Sequence, residues 1–267
     1  MVAKKAVQPS EWSKSVKALM NGIRSILFNL TFYPFTLIYC GLILAPISLF
    51  VSEAKTRKGV DIFCRSCLWI ARVFGGIKYE YRGVEKLPKE GALILAAAHQ
   101  SNMDPIMTFP LRNDVTALAK RQLFSVPFIG MLLKKMRIVR IDRESRTAHK
   151  GMDEVAKHVV DLGRPLIVYP QATRVPPGQT RRLKSGAFHL QEATGLPVYT
   201  VSTNTGLFWT KGFWHRAGTA VFEIDGPFAP GRTKEEFMAL LQDKVVDRSH
   251  ELMAEAGYEH FIPKKAG

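Results

Sequence analysis

The chain has 267 residues, 46% of them hydrophobic, and a formal charge of +15 at pH 7, enough for one large domain or two small ones around a substantial core. The basicity is spread along the chain and suits an anionic partner, whether lipid, phosphorylated substrate or nucleic acid. Nucleic acid is disfavoured because there is no zinc-finger spacing, no aromatic RNP-type run and no clear helix-turn-helix, and Cys40, Cys64 and Cys67 make no disulfide framework.

The first element is apolar. From Ser25 to Ser52 the chain carries no charge over 28 residues, long enough as a helix to cross a bilayer core. Pro34, Gly41 and Pro46 interrupt it. The apolar run starts too far in and is too long for a cleavable signal peptide. Lys14, Lys17 and Arg24 precede it and Lys55, Arg57 and Lys58 follow. Basic flanks on both sides pull both ends to the cytoplasm, which predicts a re-entrant helical hairpin turning near Gly41; a single tilted span is the alternative. Residues 62–74 follow, with Arg65 and Arg72 on one face of a helix that either lies in the interface or packs on the core. Cys64-Arg65-Ser66-Cys67 sits inside that run and has no second ligand pair, so its thiols read as reduced core or interfacial residues. Residues 1–76 are therefore expected to form a basic N-terminus with a membrane-embedded segment, and 77–267 an α/β domain.

From residue 77 onward strand-like and helix-like runs alternate. Strands are predicted over 77–82, 92–98, 115–119, 138–141, 166–169, 198–202 and 219–224. Helices are predicted over 105–111, 124–136, 145–162, 186–194 and 234–255. This alternation is that of an α/β fold with a mostly parallel sheet flanked by helices. In such sheets ligands sit beyond the carboxyl ends of strands, where His99, Asp142-Arg143 and Pro170-Gln171 all fall.

The strand at 92–98 delivers His99, and Asp104-Pro105 reads as a helix start with the aspartate as N-cap. The intervening turn brings a carboxylate back toward the imidazole, which would fix the tautomer and leave the other ring nitrogen free as a base. After the strand at 166–169 comes a loop with Gln171, Thr173, Arg174, Arg181, Arg182 and Lys184. Such a loop grips a phosphate by charge and forked hydrogen bonds; a solvated basic loop is the plainer reading. The other histidines show no metal-ligand spacing, and no metal is expected. Phe208-Trp209 and Phe213-Trp214 read either as core or as an interfacial belt.

These motifs together resemble the glycerolipid acyltransferase family, most closely its bacterial 1-acyl-sn-glycerol-3-phosphate acyltransferases. The resemblance rests on four ordered blocks across about residues 75–230: His99 and Asp104 separated by four residues; Lys120-Arg121-Gln122-Leu123 through Pro127-Phe128-Ile129-Gly130 to Arg140-Ile141-Asp142-Arg143; Tyr169 to Arg174; and Lys184-Ser185-Gly186-Ala187 with Gly195-Leu196-Pro197-Val198. Gln171 stands where the family has glutamate and Ala172 where it has glycine. The amide keeps the shape and an acceptor oxygen but loses the charge; the alanine strains the loop if its φ is positive.

The resemblance implies transfer of an acyl group from a thioester to the sn-2 hydroxyl of lysophosphatidic acid, giving phosphatidic acid for phospholipid synthesis. It implies His99 as general base, Asp104 as its orienting partner, and Arg174 on the phosphate, with Thr173, Gln171, Arg143, Lys120 and Lys184 as further substrate-binding candidates. No cofactor is expected; acyl-CoA or acyl carrier protein is the co-substrate, and membrane lipid rather than nucleic acid the partner. The absence of an ATP-binding loop and of a Gly-x-Ser-x-Gly elbow favours direct transfer from an activated donor. The expected location is a bacterial inner membrane with the catalytic domain on the cytoplasmic face. Another lysolipid acceptor (a lysophospholipid or lyso-ornithine lipid), a non-catalytic lipid-binding protein and a membrane-anchored nucleic-acid binder are the alternatives.

Overall fold

The computed structural model describes residues 11–112, 114–141 and 148–263. Helix α1 (Glu11–Thr36) runs without a break through a π-helical stretch, Leu37–Leu44, into α2 (Ala45–Ser48). The expected reversal near Gly41 does not occur. Pro46 has no N–H for an i→i−4 bond, and the helix absorbs the irregularity by widening: the Ala45 amide bonds the Cys40 carbonyl, five residues back. The chain turns instead over residues 49–52 and returns as α3 (Glu53–Val73), capped by the Ser52 hydroxyl, which accepts from the Lys55 amide. The hairpin is thus α1–α2 against α3.

The long helix from Ser15 to Ser48 is apolar and long enough to cross a membrane by length and composition. Phe28 and Phe32 on its inner side stack edge-on against Trp209. Its outer side leaves Leu19, Leu30, Leu37 and Leu42 exposed. Helix α3 buries Cys64, Cys67, Leu68, Ile70 and Ala71, and Arg65 pairs with Asp61 one turn away, so this helix packs on the core while Trp69 and Val73 face outward.

The sheet has seven strands: β1 (Ile77–Arg82), β2 (Ile94–Ala97), β3 (Thr116–Lys120), β4 (Val139–Ile141), β5 (Leu166–Val168), β6 (Val198–Thr203) and β7 (Gly218–Phe228), in the order β1-β7-β6-β2-β5-β3-β4. Every pairing is parallel except β6 with β7. The mostly parallel sheet is as the sequence predicts, and β7 runs past the expected end at Ile224 through Asp225-Gly226-Pro227, where its pairing with β6 shifts register. Helices α4 (Met103–Thr108), α5 (Ile129–Lys135), α6 (Ala148–Leu162), α7 (Gly186–Thr194), α8 (Lys234–Leu241) and α9 (Arg248–Glu255) flank it. Pro127 lies between a short 3-10 turn, Arg121–Ser125, and α5, dividing the helix expected over 124–136.

The strands bury both faces. Leu93, Leu95, Ala97 and Val201 meet Phe28, Phe32, Cys67 and Leu68 of the hairpin on one side. Ile94, Ala96, Ala98 and Val168 meet Val155, Val159, Leu190, Phe237 and Leu241 on the other. This period-two alternation is why the run 92–98 is apolar throughout. Residues on either side of position 76 share the first of these cores.

Candidate active site

Two residues after β2 the chain presents His99, and the turn that follows folds Asp104 back beneath it. Asp104 is fully buried. Its Oδ2 accepts from the amides of Gln100 (2.7 Å) and Ser101 (2.8 Å) and lies 2.9 Å from His99 Nδ1. Its Oδ1 accepts from the Thr205 hydroxyl. Four donors around one carboxylate offset the cost of taking it out of water. With Nδ1–H committed to the carboxylate, His99 Nε2 carries the free lone pair. The imidazole side chain is 19% exposed, so an incoming hydroxyl can reach it.

Asp104 is not the N-cap. Helix α4 begins at Met103, and Asp104 sits in its first turn, reaching back to amides that precede the helix. Pro105 is still in that first turn, where its missing N–H costs nothing.

The second loop braces the first. The Gln171 side chain is buried, and its Oε1 accepts from the His99 amide at 2.8 Å; the His99 carbonyl accepts from the Val175 amide at 2.7 Å. Gln171 therefore grips the backbone of the histidine. The Tyr169 ring stacks on the imidazole, centroids 4.1 Å apart and planes 20° apart. Its hydroxyl is sealed from solvent, and burial pushes the phenol well above its ordinary range, so it stays neutral. Ala172 adopts φ +59°, the left-handed region, closing a tight turn in which its amide bonds the Tyr169 carbonyl at 2.8 Å.

Arg174 is exposed and donates from Nη1 to Asn102 Oδ1 at 2.5 Å, tying this loop to the His99–Asp104 turn. Thr173 is half-buried beside it, and Lys184, whose amide bonds the Pro170 carbonyl at 2.8 Å, has an exposed side chain. Lys120 ends β3, in register with Ile141 and two strands from β2. Arg143 lies outside the described residues, as does Asp142.

Sequence reasoning missed the residues that hold the turn from the far side. Gln100 donates to the Thr203 carbonyl (2.8 Å) and accepts from the Gly206 amide (3.2 Å). Ser101 donates its hydroxyl to the Trp209 carbonyl at 2.7 Å and accepts from the Met103 amide, which leaves it engaged rather than poised as a nucleophile. The aromatic pairs divide: Phe208 and Trp209 are core, Phe213 and Trp214 are exposed. Among the described residues no group of three or more His, Cys, Asp or Glu is placed to hold a metal ion. The arrangement is an oriented, accessible base next to an exposed guanidinium, suited to drawing a proton from a hydroxyl on an anionic substrate.

Comparison with known proteins gives the family and the fold. The Acyltransferase family model matches residues 78–204. The 1-acyl-sn-glycerol-3-phosphate acyltransferase of Pseudomonas aeruginosa is 30% identical over 211 residues, covering 78% of this chain and 81% of that protein. The enzyme of the same name from Escherichia coli K12 is 28% identical over 185 residues, 68% of this chain and 71% of its own. Among solved structures, the 1-acyl-sn-glycerophosphate acyltransferase of Thermotoga maritima superposes with a TM-score of 0.71 at 23% identity, covering 88% of this chain and 98% of that one, and shows the same fold.

Proposed function

The chain belongs to the acyltransferase family of the 1-acyl-sn-glycerol-3-phosphate acyltransferases, and on that premise we propose how its residues carry out acyl transfer to lysophosphatidic acid. His99 Nε2 takes the proton of the sn-2 hydroxyl as the oxygen attacks the thioester carbonyl. The tetrahedral centre collapses, the carbon–sulfur bond breaks, and the thiolate takes the proton back from the imidazolium. The products are phosphatidic acid and the free thiol of coenzyme A or the carrier protein. Asp104 holds the imidazole in the productive tautomer and offsets its transient charge; a base so placed contributes about 10²–10⁴-fold. Arg174 binds the acceptor phosphate. The apolar helix holds the enzyme in the membrane, with the catalytic domain on the cytoplasmic face.

The observation that carries this reading is the 2.9 Å contact of His99 Nδ1 with a buried carboxylate that four donors fix in place. A protein that only bound lipid would have no use for so constrained a base. The test is product formation by detergent-purified protein, followed by mass spectrometry, with acyl-CoA or acyl carrier protein donors, lysophosphatidic acid and a panel of other lysolipids. Phosphatidic acid from wild type and none from His99→Ala is the expected result. A different acylated lysolipid would reassign the acceptor, and turnover unchanged in His99→Ala would remove the histidine from the mechanism.

A further inference from the structure

Between β3 and α5 the chain makes a short excursion in which Phe124 packs inward against the small cluster of Ala119, Met136 and Ile138. Three of its apolar side chains and the first of α5 face outward: Leu123, Val126, Phe128 and Ile129 are 42%, 40%, 43% and 44% exposed. They are held there. A β-carbon on Gly130 would fall 2.1 Å from the Phe124 carbonyl oxygen, so the segment is folded as tightly on itself as its backbone permits. Phe128 takes φ +63°, a conformation a bulky side chain adopts only when its surroundings impose it. The chain thus accepts strain at the residue that keeps this apolar cluster outside.

The cluster is continuous with the hairpin. A β-carbon on Gly41 would meet the Phe128 ring at 3.7 Å, which places the ring against the π-helical stretch. Leu132 of α5 packs with Leu44 and Ala45 in a small apolar core of its own. Beyond the seam, Leu37, Ile38, Leu42, Ile43, Leu49 and Phe50 continue the exposed apolar surface along the hairpin. Lys134 and Lys135 close α5, cations that suit anionic headgroups. The segment also leaves the sheet at the carboxyl end of β3, the edge that carries His99 two strands away, about 10 Å by ordinary strand spacing.

We propose that Leu123–Ile129 is a second lipid-inserting element, which with the hairpin seats the catalytic edge of the sheet against an anionic bilayer. The proposal rests on the membrane reading above and adds to it: the helix anchors the protein, and this segment fixes which edge faces the lipid. An acceptor whose acyl chain stays in the bilayer then needs to lift only its headgroup to reach His99.

The test uses the full-length protein with an environment-sensitive fluorophore on Leu123→Cys in a Cys40→Ala background, since Cys64 and Cys67 are buried. Lys89→Cys, exposed on the turn that leads into β2 at the opposite edge, is the control. On phosphatidylglycerol-containing vesicles the probe at 123 is expected to shift to the blue and be quenched by nitroxide lipid, while that at 89 stays aqueous. Aqueous emission at 123 from protein that sediments with the vesicles overturns the proposal and leaves acyl transfer standing. Failure to sediment overturns it together with the membrane reading. The paired substitution of Leu123→Asp and Ile129→Asp should lower kcat/KM for vesicle-borne lysophosphatidic acid by about tenfold while sparing a short-chain monomeric acceptor; equal loss on both would also overturn it.

Discussion

The hydroxyl of Thr205 donates to Asp104 Oδ1, the carboxylate oxygen that the imidazole leaves free, across 101 residues of sequence. Both side chains are fully buried. The bond ties the His99–Asp104 turn to the short turn after β6, so the buried carboxylate is held from two elements at once. Thr205→Val keeps the shape and removes the donor. An unsatisfied buried acceptor costs about 1–3 kcal/mol, and a freer carboxylate orients the imidazole less well. Thr205→Val should lower kcat about tenfold with the lysolipid KM unchanged, and Thr205→Ser should restore it. A kcat equal to wild type in Thr205→Val would show that the other three donors suffice.

What was legible follows from distance along the chain. His99 and Asp104 lie in one turn, so their spacing reports the pair; Thr205 and Gln100's partner Thr203 are reached only once β6 is laid beside β2. The strands announced themselves because both faces of the sheet are covered, which makes each a short apolar run. The hairpin turn did not. Gly41, Pro34 and Pro46 are ordinary breakers, yet a helix can pass such residues by widening its turns, and the 28-residue charge-free run gives no sign of where the chain reverses. The N-cap reading of Asp104 failed because a short carboxylate before or inside the first helical turn has the same sequence signature, and only the amides of Gln100 and Ser101 decide which way it reaches.

The left-handed backbone at Ala172 gives a stability prediction. An L-residue there pays about 1–2 kcal/mol in steric conflict, and glycine relieves it at the cost of a looser unfolded chain, about 0.4–1 kcal/mol. Ala172→Gly should therefore raise the thermal midpoint slightly. Ala172→Val, with a branch at the β-carbon, should lower it by several degrees. A midpoint lowered by glycine would show that φ at this position is not the +59° found here.

Arg174 is held by Asn102 but remains exposed, as its proposed role on the acceptor phosphate requires. Hydrogen bonds to a charged partner contribute about 1.5–3 kcal/mol. Arg174→Ala should raise the KM for lysophosphatidic acid by about ten- to a hundredfold, with a smaller change in kcat. Asn102→Ala, which frees the side chain without removing the charge, should raise it less. Monoacylglycerol, lacking the phosphate, should not distinguish wild type from Arg174→Ala; if it does, the arginine acts on something other than the phosphate.

Acid should loosen the hairpin from the sheet through His215. The imidazole is buried beneath α1, edge-on to Phe28 at 5.0 Å, with Nε2 3.4 Å from Asn29 Oδ1 and the backbone amide on Ser25 Oγ at 2.8 Å. Its Nδ1 is buried with no hydrogen-bond partner among the described residues. Burial pushes the group from 6.5 down to about 4, because a proton on Nδ1 would charge a ring with no acceptor for it. In the unfolded chain the imidazole protonates near 6.5, so folding is favoured fully above that pH and progressively less as pH falls toward 4. The loss is at most about 3 kcal/mol. Glu223 and Glu255, held low by Arg248 and Arg82 respectively, begin to weaken the fold only near and below 4.5, their ordinary value. From pH 6.5 to 5 these two carboxylates therefore add little, and the difference between wild type and a His215 variant reports the histidine. The thermal midpoint in detergent should fall across this interval for wild type and stay nearly level for His215→Phe, which keeps the ring and removes the titration. Equal slopes in the two proteins would place the acid sensitivity elsewhere.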